Sequence, residues 1–339
     1  MKRVFVKIIL TLILLIISSL IGVRIYFNVK EIPIYDLKLA YNFITSSPKK
    51  LPQYEGLAEK LGYNKEDKLL IIHADDLGLS PAVNEASFDA NNKGFITSAS
   101  VMMPTPYAKE VAEYFKNNPN MDLGLHLTFT SEWKSYKWSG VSISDSIPSL
   151  INSNGNFYQN KKTFIKKANP KDVRKELQAQ IDRAIALGIK PTHLDSHEGA
   201  LFFSTELFKI YLELGRKNKL PVFVPRVLSA HFDKNFPKPK NLVIVDKMHM
   251  AEKGLKFDDW EKYYTSVINK LKPGLNELIV HLSYDNEEMQ FITSGRKNYG
   301  SKWRSLDYLI LSSPKFKNAL IKNNVKLVKW KQIKDIMYP

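Results

Sequence analysis

The 339-residue sequence contains no cysteine. That absence removes disulfides, thiolate nucleophiles, Cys-ligated zinc and iron–sulfur clusters from consideration. Any metal must rest on His, Asp, Glu or backbone oxygen. Arginine is scarce as well: of the 50 basic residues, 42 are Lys and 8 are Arg. Acidic residues number only 34, so the formal net charge is +16. A balance of that size suggests nucleic acid, but the lysines are scattered rather than striped. Arg, the residue suited to bidentate phosphate and base contacts, is the one in short supply. No nucleic-acid partner is expected. Hydrophobic and aromatic contents of 44% and 12% exclude a disordered chain.

Long apolar runs are also missing, with one exception at the N-terminus. Residues 1–30 hold Lys2, Arg3, Lys7, Arg24 and Lys30 and no acid, which leaves +11 for the remainder. From Ile8 to Val23 no charge interrupts the run. A basic end followed by such a stretch has the layout of a membrane anchor or an export signal, so residues 1–27 are assigned to one of these. No good small-residue cleavage site follows it, which favours an uncleaved anchor, with Tyr26 and Phe27 at the far interface. The basic end then stays in the cytoplasm. The remainder of the chain is expected outside it, tethered to the membrane or secreted after cleavage. Residues 28–66 are polar, contain Pro33, Pro48 and Pro52, and read as a connector with some helix around Asp36–Phe43.

From residue 67 to 339 short apolar runs alternate with amphipathic stretches. Strands are expected at Leu69–His73, Ile96–Met103, Met121–Leu127, Thr192–Asp195, Val222–Arg226, Leu242–Asp246, Glu277–His281 and Val325–Val328. Between them lie helical patterns, among them one opened by Ser80–Pro81 and one capped by Ser313. This alternation predicts an α/β fold with a mostly parallel sheet, doubly wound or closed into a (β/α) barrel, preceded by the N-terminal hydrophobic helix. Sites in such folds gather at the carboxyl ends of the strands.

Those ends are where the chemistry stands. His73-Ala74-Asp75-Asp76, His126, His193-Leu194-Asp195-Ser196-His197 and His281 place five of the seven histidines at four strand ends. On a regular strand Asp75 and Asp76 face opposite ways, so one can bind a cation while the other accepts a proton. His193, Asp195 and His197 share a face at a spacing of two. One carboxylate with two imidazoles leaves positions open for water and substrate, as a Lewis-acid hydrolase requires. His231 and His249 receive no role. Trp133, Tyr136 and Trp138 either stack on sugar faces or cover the core.

At these residues the chain resembles the YdjC-like carbohydrate deacetylases, the family of the chitooligosaccharide deacetylase and the hopanoid-associated sugar deacetylase. The segments IIHADDLGLSPAVNEA (71–86), GFITSASVMMP (94–104), LGLHLTFT (123–130) and KPTHLDSHEG (190–199) carry the resemblance in order and spacing. It implies a distorted (β/α) barrel and metal-dependent removal of an N-acetyl group from an amino sugar in an oligo- or polysaccharide or glycolipid. By position it implies Asp76, His126 and His197 as ligands of one divalent metal ion, zinc or magnesium. It implies Asp75 as general base, His281 as general acid, and His193 and Asp195 as supports behind the ligands. The alternatives are another metal-dependent hydrolase, acting on a phosphoester or a different amide, and a membrane-tethered glycan-binding protein without catalysis.

Overall fold

The computed structural model describes residues 9–16, 18–19, 22, 52–227 and 242–339. Contacts divide the chain into residues 1–49 and 50–339. Of the expected N-terminal segment, residues 9–16, 18–19 and 22 are helical. Among the described residues no helix is long and apolar enough to cross a membrane. The rest of that expected anchor, the helix expected around Asp36–Phe43, and His231 lie outside the described residues. The last part of the expected connector packs into the second unit: Leu57 is buried, and the Gln53 amide donates to the Ile244 carbonyl at 2.5 Å.

The second unit is built on a parallel sheet. Its strands are β1 (Lys68–Leu77), β2 (Ser98–Val101), β3 (Leu123–Leu127), β4 (Leu194–Ser196), β5 (Lys247–His249), β6 (Gly274–His281) and β7 (Lys326–Leu327). They run in the order β4-β3-β2-β1-β6-β5, with β7 beside β1. β1 pairs with β6 from Lys68 to Asp75. Its other edge is shared, by β7 at Leu69 and Leu70 and by β2 from His73 onward. All pairings are parallel, and β1 is buried from Leu69 to Leu77. A strand covered on both faces reads as a continuous apolar run, which is why LLII marks it so clearly.

Beyond β4 the pairing continues through single parallel bridges, Leu194 with Val222 and Pro225 with Val245. The result is a half-barrel α/β fold whose hydrogen bonds reach on toward β5. The strand expected at Val222–Arg226 is reduced to these bridges because Pro221 and Pro225 have no N–H to give to a ladder. The strand expected at Leu242–Asp246 is displaced to Lys247–His249, with Val245 as its bridge.

The principal helices are α1 (Pro81–Asn92), α2 (Ala108–Asn117), α3 (Pro170–Ala186), α4 (Thr205–Lys217), α5 (Trp260–Asn269), α6 (Ser301–Leu311), α7 (Pro314–Lys322) and α8 (Trp330–Met337). Their starts follow local chemistry. The Ser80 side chain accepts from the Val83 N–H with Pro81 in the first helical position, and Ser313 does the same for Phe316 ahead of Pro314. In α3, Val173, Leu177, Ile181 and Ala184 are buried at helical spacing, and Gly188 ends the pattern with φ 87°. Helix α6 starts at Ser301, and Trp303 and Arg304 in its first turn are both buried.

One contact under the site is tight enough to test. A Cβ at Gly124 on β3 would lie 2.3 Å from the His193 ring, and that ring stacks on Trp330 at 5.1 Å. Neither buried ring has room to retreat. Gly124→Ala is therefore expected to destabilise the protein by about 1–3 kcal/mol, the usual cost of overpacking. A lowered midpoint of urea unfolding would show it.

Candidate active site

The carboxyl ends of β1, β3, β4 and β6 bring Asp75, Asp76, His126, His197 and His281 together. All are buried, at 2–8% relative exposure. Asp75 and Asp76 reach the same cluster, against the alternation expected of a regular strand. The pairing of β1 with β2 slips between Ala74 and Leu77, and Asp76 has φ 68°. The bulge and the left-handed residue turn the second carboxylate back toward the first. His197 follows β4 at the start of a 3-10 turn, and Glu198 and Gly199 behind it are also left-handed. The turn brings His197 over Asp76.

Three atoms converge. Asp76 Oδ1 lies 3.3 Å from His126 Nε2 and 3.2 Å from His197 Nδ1. That Oδ1 is buried and has no well-formed hydrogen bond. An oxygen and two imidazole nitrogens at these separations fit ligands about 2.0–2.2 Å from one shared ion. The same trio is one of four His and carboxylate groupings, among the described residues, compact enough to hold a metal. The partners behind the trio are specific. Asp195 Oδ1 lies 2.7 Å from His126 Nδ1, Glu132 Oε2 lies 3.1 Å from His197 Nε2, and Arg304 donates to Asp76 Oδ2 at 2.6 Å. Such contacts fix which nitrogen or oxygen faces the ion.

Asp75 and His281 flank the trio. Asp75 Oδ2 is 3.9 Å from His126 Nε2 and 3.9 Å from His281 Nε2. The backbone N–H of His281 donates to Asp307, whose other carboxylate oxygen receives Trp260 and Tyr264. The strand end carrying His281 is thereby tied to α6.

The charges follow from burial and neighbours. Burial works against ionised Asp76, but the Arg304 guanidinium and the two imidazoles hold it well below the usual carboxylate range. Burial also opposes a charged His197, yet Glu132 and Asp76 push it up to about 10. Burial is likewise outweighed at His126, which Asp195 and Asp75 push well above its usual value. His281 goes the other way: burial above all, with Arg304 and His126, lowers it to about 4, although Asp76 and Asp75 oppose the change.

Of the two residues expected behind the ligands, Asp195 contacts His126. His193 sits lower, between Trp330 and His73, and its contacts run to Thr192 and Asp122 rather than to the converging trio. Trp133 and Trp138 are buried in the core, which answers for them the choice between sugar stacking and packing. Tyr136 is partly buried and donates to the Leu79 carbonyl at 2.7 Å. His249 stands on β5, 3.4 Å from Asn276, away from the cluster.

Glu132 and Arg304 escaped the sequence reading. Glu132 lies in the turn-rich stretch after β3, where no periodicity singles out a position. Arg304 left a faint signal: it is one of only 8 arginines, in an apolar stretch of a chain that otherwise uses lysine.

Comparison with known proteins bears on the same residues. The family model described as "YdjC-like protein" matches residues 69–322. A carbohydrate deacetylase of Thermoanaerobacter pseudethanolicus is 27% identical over 269 residues, covering 79% of this chain and 100% of that protein. A carbohydrate deacetylase of Thermus thermophilus is 28% identical over 296 residues, covering 83% and 99%. A solved structure from Enterococcus faecalis V583, named for cellobiose-phosphate cleavage, superposes with a TM-score of 0.64 at 24% identity. It covers 79% of this chain and 99% of its own.

Proposed function

The chain belongs to the YdjC-like protein family, and from that premise we propose that it is a metal-dependent carbohydrate deacetylase, hydrolysing the acetamide of an N-acetylated amino sugar in an oligo- or polysaccharide or glycolipid. The observation that carries this reading is the convergence of Asp76 Oδ1, His126 Nε2 and His197 Nδ1 beside an uncommitted carboxylate oxygen of Asp75. Two curated relatives matched over nearly their whole length are named carbohydrate deacetylases, which supports the substrate class.

Asp76, His126 and His197 would hold one divalent ion, zinc or magnesium. When bound, it supplies Lewis-acid polarisation of the acetamide carbonyl and makes a water more acidic. The protein's own groups move the protons. Asp75 presents Oδ2 to take a proton from the attacking water. His281 Nε2 lies 3.9 Å from that oxygen, and burial keeps the imidazole neutral and able to receive the proton. From there the proton reaches the departing sugar amine, and the acetyl group leaves as acetate. Asp195 and Glu132 hold the two ligand imidazoles in the orientation that keeps Nε2 of His126 and Nδ1 of His197 inward.

The test is acetate release from a panel of N-acetylated oligosaccharides in zinc or magnesium buffer, run beside phosphate release from phosphoesters. Acetate without phosphate supports the reading. Phosphate alone points to the other hydrolase class, and glycan binding without either product points to a tethered binding protein. The N-terminal charge layout supports display outside the cytoplasm, and protease accessibility of the domain in intact cells would test that placement.

The pKa directions give a further expectation. Without a cation His197 stays protonated up to about pH 10 and His126 also holds its proton well above neutrality. A metal needs both imidazoles neutral, so its uptake must displace protons. Zinc affinity is expected to strengthen as pH rises from 6 to 9, with proton release at pH 7. Calorimetry in buffers of different ionisation enthalpy measures that release; a pH-independent affinity would contradict it.

A further inference from the structure

The proposed mechanism leaves His73 without a task, although it begins the HADD segment and is fully buried. It stands two residues before Asp75 on β1, so both side chains face the same way. Its Nε2 is 3.2 Å from Asp75 Oδ1, 3.1 Å from Asp195 Oδ2 and 3.1 Å from Ser100 Oγ. The groups facing it come from three other strands: Ser100 from β2, Asp195 from β4 and Glu277 from β6, the last 3.8 Å from Nδ1. The His193 ring lies edge-on at 5.0 Å.

Resting on the deacetylase reading, we propose that His73 is a positioning residue for Asp75, holding its Oδ1 so that Oδ2 alone is presented for proton transfer. Three features carry the inference. Asp75 Oδ2 is the oxygen that faces His126 and His281, and Oδ1 is the one that His73 approaches. His73 also shares Asp195 with His126, since Asp195 Oδ1 takes His126 and Oδ2 takes Ser100 and His73. One imidazole thus sets the base against the same carboxylate that sets a ligand. Burial opposes charge on His73, but Asp195 and Asp75 raise it to about 10, so it meets Asp75 as a cation. A buried cation 3.2 Å away holds a carboxylate in one rotamer.

The experiment compares zinc-loaded wild type, His73→Leu and His73→Asn. His73→Leu is expected to keep its metal and its KM and to lose about 10- to 100-fold in kcat, the usual effect of an outer hydrogen-bond partner. His73→Asn, which restores a neutral donor, recovers part of kcat. Unchanged kcat would overturn the proposal; so would loss of metal in step with loss of rate, which would place His73 behind the ligands instead. A readout free of substrate keeps the two readings separate. In two-bond 1H–15N spectra of the zinc-loaded protein, Asp75→Asn should move the His73 Nε2 resonance, and an unmoved resonance refutes the contact even if His73→Leu fails to fold. Should the wild type release no acetate from any glycan, the deacetylase reading fails while the spectra still judge His73.

Discussion

His126→Ala is expected to lose bound zinc and acetate-releasing turnover together, with turnover down by about 10³-fold or more, the scale of removing several kcal/mol of metal-derived stabilisation. His126 supplies one of the three converging atoms, and its loss leaves Asp76 Oδ1 and His197 Nδ1 as a two-point site. It also strips Asp195 of the partner at 2.7 Å, so the supporting carboxylate loses its fixed direction. Metal analysis of the purified protein together with the acetate assay reads both effects. A variant that keeps one equivalent of zinc and near-native turnover would remove His126 from the ligand set. His197→Ala should behave in the same way, because it removes Nδ1, the third converging atom, and leaves Glu132 without its partner at 3.1 Å.

The second large effect is expected at Asp75. Asp75→Asn keeps the size of the side chain and leaves Asp76, His126 and His197 in place, so metal content should stay at the wild-type level. The amide cannot accept the water's proton, and kcat should fall by about 10²–10⁴-fold, the usual contribution of a positioned base. The contrast between the two variants is the informative part: one loses metal and rate, the other loses rate alone. Retained turnover in Asp75→Asn would show that the proton leaves by another path.

Much of this site was legible in the sequence because strand ends in a parallel sheet concentrate function, and short residue spacings survive folding. HADD, the His126 strand end and HLDSH are local patterns, and the three atoms that converge come from them. Ser80 and Ser313 were legible for the same reason, since a cap acts over three residues. The parts that stayed hidden depend on long-range geometry. Arg304 reaches Asp76 across 228 residues of chain, and Glu132 reaches His197 across 65, so no spacing rule connects either pair. The strand expected at Val222–Arg226 failed for a local reason, because two prolines outweighed an apolar pattern. The opposite facing of Asp75 and Asp76 followed from an ideal strand, and a one-residue bulge cancelled it.

That bulge narrows what position 76 can be. A backbone held at φ 68° admits glycine, asparagine and aspartate with ease and penalises nearly everything else. The buried guanidinium of Arg304 demands a negative charge at the same place. The conformational filter passes three residue types, the electrostatic filter passes two, and only aspartate passes both. A saturation library at codon 76, selected for folded and active protein, should therefore converge on the residue already there, while codons on the solvent faces of the helices drift freely.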